Sequence, residues 1–475
     1  MRRIVLTALL LAAAPAAGRA GQGPNVIILL ADDLGCGDLG CYGAGDVRTP
    51  HIDALAAAGI RMTSYYAPAP ICAPSRAAML TGRYPSRAGM SALRNVPSGM
   101  NEPGMPAGEV TVAELARRRG YATGVFGKWH LGSTGDTRPN AQGFDLFVGH
   151  HASCIDSWSH LYYASEPWYH DLYRDDREIF EDGVFLTDLI TRETLAFIDA
   201  QRDRPFLAYV AYNVPHYPCT APARFMQRYA ELPEPRRTHV AMVAAMDESV
   251  GAIIGHLRER GMLERTLVIF ASDNGAASLS KRGEGGGSNA PYRDYKRSLF
   301  EGGIRVPGIV AWPGRLPAGV LRDEPAIGMD VLPTVAEAIA APLPEDRVID
   351  GRSWLESAGR PAPASQPRRL FFEWDGQLAV RDGRWKLVHQ GLVYDPAGGG
   401  TRVRRLAGRD ALFLSDLSAD PGETVNLRDQ HAEQCALLLE ACRAWRDSLR
   451  ADPAASRSPE DEPSPPGAAS RQDPS

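Results

Sequence analysis

Short apolar runs, each followed closely by polar residues, recur through the first part of the chain. The run over 26–30 lacks the alternation of a half-exposed strand, and the run TLVIFA before residue 273 shows the same continuous apolarity. Such runs are typical of strands that are buried on both faces of a parallel sheet. Two similar runs lie between these two. The polar residues that follow the four runs are Asp32, Asp33, Lys128, His130, His216, Asp273 and Asn274.

Helix signals lie between the predicted strands. Pro50 follows Thr49 at the start of TPHIDALAAAG, and Thr111 with Glu114 matches a capping box. Strands that alternate with helices are typical of an α/β fold. In open sheets of this kind, ligands bind at the carboxyl ends of the strands. We therefore expect the polar residues that follow the four runs to lie along one edge of a sheet.

Two acidic pairs at one edge would repel each other unless a cation neutralises them. Asp32, Asp33, Asp273 and Asn274 offer carboxylate and amide oxygens, which suit Ca²⁺ or Mg²⁺ better than Zn²⁺. The alternative is that each pair only forms turns and helix caps. Because both pairs follow predicted buried strands, we favour a metal site.

The segment ICAPSRAAMLTGR, over 71–83, predicts a helix with a cysteine at its start. Pro74 is favoured in a first helical turn, and Gly82 would end the helix. A helix N-terminus favours anions, so we expect a lowered pKa for the Cys72 thiol, with Arg76 near the same end. The alternatives are a buried structural thiol or one half of a disulfide. The chain has seven cysteines, so at least one stays outside any pairing within it.

The two ends of the chain differ in composition from the rest. Residues 1–20 have two arginines followed by an apolar run and small residues, which predicts a signal peptide and hence a secreted or periplasmic protein. Residues 453–475 are rich in Pro, Ser and Ala and predict a disordered tail. No later segment is apolar for long enough to predict a membrane span. The net charge is −5 and there is no basic run, which argues against a nucleic-acid-binding protein.

The segment CAPSRAAMLTGR resembles the signature of type I sulfatases, in which the cysteine is oxidised to Cα-formylglycine. ADDLGCGDLGCYG, GKWHLG, VPHYP, SDNG and KRSLFEGGIRVP occur in the order found in that family, and weaker similarity extends further along the chain. The resemblance implies the α/β fold of the alkaline phosphatase superfamily. That fold has a large mixed β-sheet sandwiched by helices and a smaller C-terminal α+β subdomain. We expect the catalytic domain over 21–360 and the subdomain over 361–452.

The resemblance also implies roles for individual residues. Cys72 corresponds to the formylglycine, which a formylglycine-generating enzyme would make, and Arg76 corresponds to the arginine that steadies it. The ligands of Ca²⁺, or of Mg²⁺ in its place, fall on Asp32, Asp33, Asp273, Asn274 and Cys72. The residues that contact the sulfate or lie beside it fall on Lys128, His130, His216, Lys296 and Ser153.

The activity implied by the resemblance is that of an exported hydrolase of sulfate esters. The similarity is closer to bacterial sulfatases of the N-acetylgalactosamine-6-sulfatase type than to enzymes for phenolic sulfates. We therefore expect a sulfated carbohydrate as substrate, such as an amino-sugar or galactose sulfate of a glycosaminoglycan-like chain. The alternatives are an arylsulfatase for phenolic sulfates and a phosphoester hydrolase of the same superfamily. A sulfated-glycan-binding protein whose Cys72 is never converted is a further alternative.

The segment over 150–173 is rich in aromatic residues and histidine. It follows the predicted strand that ends at Lys128, so we expect it to overhang the active site. Trp158 and His160 are then expected to contact a sugar ring. The alternative is that the segment packs on itself or on the C-terminal subdomain.

Overall fold

The computed structural model describes residues 23–91, 99–164, 166–278, 285–355, 368–395 and 403–450. Within these residues the α-helices are α1 Pro50–Ala57, α2 Cys72–Thr81, α3 Val112–Arg118, α4 Leu186–Ala200, α5 Ala223–Arg228, α6 Arg236–Glu259, α7 Glu301–Ile304, α8 Val331–Ala338 and α9 Ala432–Arg450. The strands of the first half are β1 Asn25–Ala31, β2 Ile60–Met62, β3 Tyr65–Tyr66, β4 Ala122–Lys128, β5 Leu146–His150, β6 Leu161–Tyr162, β7 Tyr169–His170, β8 Tyr173–Arg174, β9 Arg177–Glu178 and β10 Phe206–Ala211. The remaining strands are β11 Thr266–Ser272, β12 Gly308–Ala311, β13 Val320–Arg322, β14 Ala326–Ile327, β15 Arg369–Trp374, β16 Gln377–Asp382, β17 Trp385–His389, β18 Leu392–Tyr394, β19 Val403–Arg405 and β20 Leu412–Asp416.

A ten-stranded mixed sheet forms the centre of the molecule, in the order β13–β2–β12–β11–β1–β10–β4–β5–β8–β9. Its five middle strands, from β11 to β5, are parallel, and antiparallel pairs extend the sheet on both sides. Along β1, Val26 and Ile28 pack into one core, whereas Ile27 and Leu29 pack into the core on the opposite face. The predicted burial of this strand on both faces is confirmed.

Helices cover both faces of this sheet. Helices α1, α4 and α6 pack on one face, and α2, α3 and α8 pack on the other. The capping box at α3 is confirmed, since Thr111 Oγ1 accepts from Glu114 N at 3.1 Å and Glu114 Oε2 accepts from Thr111 N at 2.8 Å. Thr49 does precede α1, but its Oγ1 donates to Asp53 Oδ1 at 3.0 Å instead of capping the backbone.

A smaller antiparallel sheet follows, formed by β15, β16, β17 and β20. Helix α9 packs on one face of this sheet through Leu438 and two cysteines, against Val380 and Leu387. The other face contacts the large unit, where Leu370 and Phe372 lie in one core with residues of α7 and its neighbourhood. A large mixed sheet between helices with a smaller C-terminal α+β unit is the predicted fold class, which is confirmed.

All seven cysteines are free, so the structure contains no disulfide among them. Among the described residues, α6 is the helix that is long and apolar enough to cross a membrane by length and composition. Of its most apolar stretch, 67% is buried in the core, as in the central helix of a globular domain. The predicted signal peptide, the predicted tail over 453–475 and the predicted boundary at 360 lie outside the described residues.

A buried ionic cluster joins the large unit to the C-terminal sheet. Lys386 in β17 lies with its Nζ 2.8 Å from Glu301 Oε1 in α7 and 3.2 Å from Glu423 Oε1. All three side chains are fully buried. Burial, opposed by Lys386 and reinforced by the Glu301 carboxylate, raises the pKa of Glu423 to about 7. Arg305 supplies a second cation, 3.0 Å from Glu301 Oε2.

Replacing Lys386 by Met should destabilise the protein strongly. The two carboxylates would then share a buried site without their central cation, and breaking a buried ion pair in this way costs about 3–5 kcal/mol. We expect a lower midpoint of urea unfolding for Lys386→Met, with partial recovery when Glu423→Gln removes one of the two carboxylates. If Lys386→Met alone unfolds at the wild-type midpoint, the cluster does not stabilise the junction.

Candidate active site

Four neighbouring parallel strands end at one edge of the large sheet. β11, β1, β10 and β4 lie side by side, and Leu30 is in register with Ala211 and Ala271. Because these strands run in the same direction, the loops after them meet at one edge. The structure brings together there the side chains of Asp32, Asp33, Lys128, His216, Asp273, Asn274 and Lys296.

Helix α2 places Cys72 beside this edge. The helix begins at Cys72 and ends before Gly82, which adopts the left-handed conformation that favours glycine, as predicted. The Cys72 Sγ lies 3.3 Å from Asp32 Oδ1 and 3.9 Å from Asp33 Oδ1. Burial, with the neighbouring Asp32 carboxylate, raises the pKa of the Cys72 thiol. The prediction that the helix N-terminus lowers the pKa of this thiol was wrong, because burial and the nearby carboxylates outweigh the effect of the helix.

Two lysines neutralise the acidic pair that follows β1. Lys128 Nζ lies 2.6 Å from Asp32 Oδ2, and both side chains are buried. Lys296 Nζ lies 2.8 Å from Asp33 Oδ1 and 2.9 Å from Asp33 Oδ2. Burial would raise the pKa of Asp33, but the ammonium group of Lys296 outweighs burial and lowers it. Both lysines keep raised pKa values despite burial because of the carboxylates that face them.

Arg76 neutralises the third carboxylate. Its Nη2 and Nε lie 2.8 and 2.9 Å from Asp273 Oδ2, and its Nη1 donates to the Lys128 carbonyl at 3.0 Å. Arg76 is fully buried, so these contacts fix the guanidinium beneath α2. Burial and the negative charge of Asp32 raise the pKa of Asp273 to about 6 although Arg76 opposes them.

His216 lies on the loop after β10, with its Nε2 3.7 Å from Asp33 Oδ2. Its Nδ1 donates to the Tyr217 carbonyl, so in the neutral ring Nε2 carries the free lone pair. Burial and the charge of Lys296 lower the pKa of His216 to about 3. The neutral ring therefore presents an acceptor, and not a donor, to the site.

The residues around Asp33 fit a metal ion. Ligand atoms of Asp32, Asp33, Cys72 and His216 all lie within 4.8 Å of one another. Asn274 turns its Nδ2 to Asp33 Oδ1 at 2.6 Å, which leaves its buried Oδ1 without a hydrogen-bond partner among the described residues. A cation between these oxygens would satisfy that orphaned atom and would separate the carboxylates.

Asp33 and His130 share an uncommon backbone conformation, with φ of 66° and 56°. Non-glycine residues rarely adopt this left-handed region, and those that do cluster at functional sites. His130 is buried two residues beyond the end of β4, and its backbone N donates to His151 O at 3.2 Å. Ser153 is half-buried, with its Oγ 3.9 Å from Cys154 Sγ.

The aromatic segment over 150–173 does lie near the site, but two of its residues face inward. The ring of Trp158 packs against Phe185 at 5.1 Å, on the core beside α4. His160 is fully buried. The full burial of His160 contradicts its expected contact with a sugar, whereas for the half-buried Trp158 that contact stays a prediction. Trp168, in contrast, is 67% exposed.

Several residues of the site carry no local signal in the sequence. A small cavity beside Asp33 is lined also by Tyr217, Cys219 and His239. His239 lies within α6, and its Nε2 contacts the fully buried Asp38 at 3.0 Å. Asp38 belongs to the motif that contains Asp33, but nothing in the spacing indicates its partner 201 residues away. Tertiary packing alone brings this histidine to the cavity.

Comparison with known proteins gives one consistent family. A family model described as Sulfatase matches residues 24–341. Steryl-sulfatase of Mus musculus is 35% identical to this chain over 94% of it and 86% of that protein. Arylsulfatase A of Homo sapiens is 36% identical over 88% of this chain and 86% of that protein. N-acetylgalactosamine-6-sulfatase of Canis lupus familiaris is 35% identical over 90% of this chain and 87% of that protein.

Solved structures agree with these relatives. Ps i-CgsB in complex with k-i-k-neocarrahexaose is similar with a TM-score of 0.78 and 28% identity, over 89% of this chain and 93% of that one. The PsFucS1 sulfatase from Pseudoalteromonas sp. is similar with a TM-score of 0.79 and 26% identity, over 91% and 92% of the two chains. Since the family model spans most of the chain and the relatives span nearly all of it, the chain belongs to the sulfatase family and is a sulfuric ester hydrolase.

Proposed function

We propose that this protein is an exported sulfatase for sulfated carbohydrates that uses a Cα-formylglycine derived from Cys72 and a bound Ca²⁺, or Mg²⁺ in its place. The observation that carries the proposal is the position of Cys72. Its Sγ lies 3.3 Å from Asp32 Oδ1, between oxygens suited to a hard cation and side chains suited to an anion. Lys128 and Lys296, which pair with Asp32 and Asp33, are two of those cationic groups.

The unmodified thiol is poorly suited to the reaction. Its raised pKa keeps it protonated at neutral pH, and the thiolate is the nucleophilic form. As a hydrated aldehyde, residue 72 would supply two hydroxyl groups on one carbon, so that one takes the sulfuryl group and the other allows sulfate to leave. Cys72 is 1% exposed in the folded chain. A formylglycine-generating enzyme would therefore have to reach it before α2 packs against the sheet.

The metal would be held by the oxygens of Asp32, Asp33, Asp273 and Asn274 together with residue 72. A bound cation of this kind would polarise a hydroxyl of residue 72 and neutralise charge on a sulfuryl oxygen. One ion could contact both residue 72 and the aspartates, because the Cys72 Sγ and the ligand atoms of Asp32 and Asp33 lie within 4.8 Å of one another.

The lysines and Arg76 would stabilise the charge that develops on the sulfuryl group. Lys128 and Lys296 have ammonium groups within 3 Å of the carboxylates that flank Cys72, so they can also reach an anion there. Arg76 would hold Asp273 in position through their ion pair and would add positive charge close to residue 72. Because all three side chains are largely buried, their charges are screened little by water.

Proton transfers can be assigned to groups in the same cluster. Asp273, whose pKa is raised to about 6, would accept a proton from the attacking hydroxyl. Lys296 stays protonated and would donate to the leaving oxygen, whereas His216 presents its acceptor nitrogen to the site. His130 would take the proton of the second hydroxyl when sulfate leaves. Ser153 is assigned a hydrogen bond near residue 72.

The carbohydrate assignment is supported by two observations. Aromatic side chains of the segment over 150–173 lie next to the site, and a structure similar to this chain contains a neocarrahexaose. The names of the relatives also include a steryl-sulfatase and an arylsulfatase. An arylsulfatase is therefore the second candidate. Export is proposed from residues 1–20, and the division into 21–360 and 361–452 is proposed from the sequence.

Replacing Cys72 by Ala should abolish sulfatase turnover without unfolding the protein. The variant lacks both hydroxyls, and Ala fits the first turn of α2, where the side chain is already buried. Cys72→Ser should accept sulfate once and fail to release it, because it has only one hydroxyl. Turnover is measured with an aryl sulfate, and folding by the thermal midpoint. Wild-type-like steady turnover by either variant would contradict the mechanism.

Removing a carboxylate from the proposed metal site should remove the ion and the activity together. Asp33→Asn and Asp273→Asn each lose a charged ligand, so we expect elemental analysis after dialysis to show much less bound Ca²⁺ or Mg²⁺. Asp247→Asn is the matched control, since Asp247 is a buried carboxylate that accepts from the backbone of His51 and Ile52, away from the site. Full metal occupancy in both site variants would refute the assignment.

Sulfated sugars should be better substrates than aryl or steryl sulfates. We expect kcat/KM of the purified protein to be highest for a sulfated amino-sugar or galactose in a panel that includes both other classes. Cys72→Ala is assayed in parallel to exclude contaminating sulfatases. If an aryl sulfate gives a higher kcat/KM than every sulfated saccharide, the protein is an arylsulfatase instead.

A further inference from the structure

Three aromatic side chains lead from the wall of the site cavity to the protein surface. Tyr217 lines the cavity together with Asp33. The ring centroid of Tyr163 lies 6.3 Å from that of Tyr217 and 6.5 Å from that of Trp168. Tyr163 and Tyr217 are half-buried, whereas Trp168 is 67% exposed. We call these three residues the aromatic row.

The aromatic row lies on a hairpin that packs against the core. Strand β6 pairs antiparallel with β7, so Tyr163 and Trp168 flank the end of a short hairpin. Tyr162 stacks on Tyr169 at 4.9 Å with an interplanar angle of 27°. Tyr162 is buried in the core, which anchors the hairpin to the large unit. Exposure of the tryptophan is therefore a property of a packed hairpin, and its place in a continuous row with Tyr163 and Tyr217 distinguishes it from the other exposed apolar side chains.

The chemistry of the aromatic row favours a sugar over a compact apolar ligand. Tyrosine and tryptophan combine an apolar face with a polar tip, as a sugar ring combines a C–H face with a rim of hydroxyls. The ring of Tyr163 lies between those of Tyr217 and Trp168, so the row is continuous from the cavity wall to the exposed tryptophan. An apolar ligand such as a sterol gains most from enclosure on nearly all sides. Trp168 offers an open platform instead.

We propose that Tyr217, Tyr163 and Trp168 form a subsite for a second sugar ring, adjacent to the sulfated ring of an oligosaccharide. This inference rests on the proposed carbohydrate function, and it specifies that the substrate is an oligosaccharide of at least two sugar rings. The sulfate group would lie at Asp33 and residue 72, its own ring would lie outside that edge of the sheet, and the next ring would lie against the aromatic row. The protein would then prefer sulfated oligosaccharides to the corresponding sulfated monosaccharides.

The test compares substrates of different length in matched variants. Wild type, Trp168→Ala, Trp168→Phe and Phe180→Ala are assayed with a sulfated monosaccharide, the tetrasaccharide that carries the same sulfated sugar, and an aryl and a steryl sulfate. Phe180 is the control because it is 68% exposed in the same region but stacks on His170, at 4.6 Å, outside the row. Thermal midpoints of all four proteins confirm folding.

We expect Trp168→Ala to lose roughly tenfold in kcat/KM for the tetrasaccharide, as for an aromatic anchor of a binding site, and little for the monosaccharide and the aryl sulfate. Trp168→Phe should retain most of the preference, and Phe180→Ala all of it. The inference is overturned if Trp168→Ala leaves the ratio of tetrasaccharide to monosaccharide unchanged, or if only the steryl sulfate loses activity. If wild type hydrolyses the aryl or steryl sulfate but neither saccharide, the proposed carbohydrate function itself fails.

Discussion

The site depends on the pairing of three buried carboxylates with three buried or nearly buried cations at one edge of the large sheet. An unpaired buried charge is costly, and removing one partner of such a pair leaves that cost uncompensated. Each carboxylate here has its own cation, so the cluster is formally neutral before any metal or substrate binds. The pairs are Asp32 with Lys128, Asp33 with Lys296, and Asp273 with Arg76.

The fold explains how these charges come together. Parallel strands β11, β1, β10 and β4 end at one edge, and α2 crosses beneath it with every one of its residues buried. Arg76 bonds both a side chain after β11 and a carbonyl at the end of β4, and so ties two strands to the helix that carries Cys72. A hard cation, a sulfate ester and residue 72 would therefore meet at a place that is already fixed by packing.

Much of this arrangement could be predicted from the sequence, because local signals determine it. Continuous apolar runs predict the buried strands. The capping box predicts the start of α3, and Pro74 predicts the start of α2. The raised pKa of the Cys72 thiol could not be predicted, since it depends on burial and on the carboxylates of Asp32 and Asp273, which lie far from Cys72 in the chain. The burial of His160 could not be predicted either, because a short irregular segment has no periodicity that separates its inner from its outer face. His239 reaches the cavity only through the packing of α6.

The proposed mechanism depends most directly on the chemical state of residue 72. Mass spectrometry of the peptide that contains Cys72, taken from active protein made in cells with a formylglycine-generating enzyme, measures that state. We predict a peptide in which one oxygen has replaced one sulfur and two hydrogens, and a specific activity that rises in proportion to the converted fraction. Fully active protein whose Cys72 retains its sulfur would contradict the account.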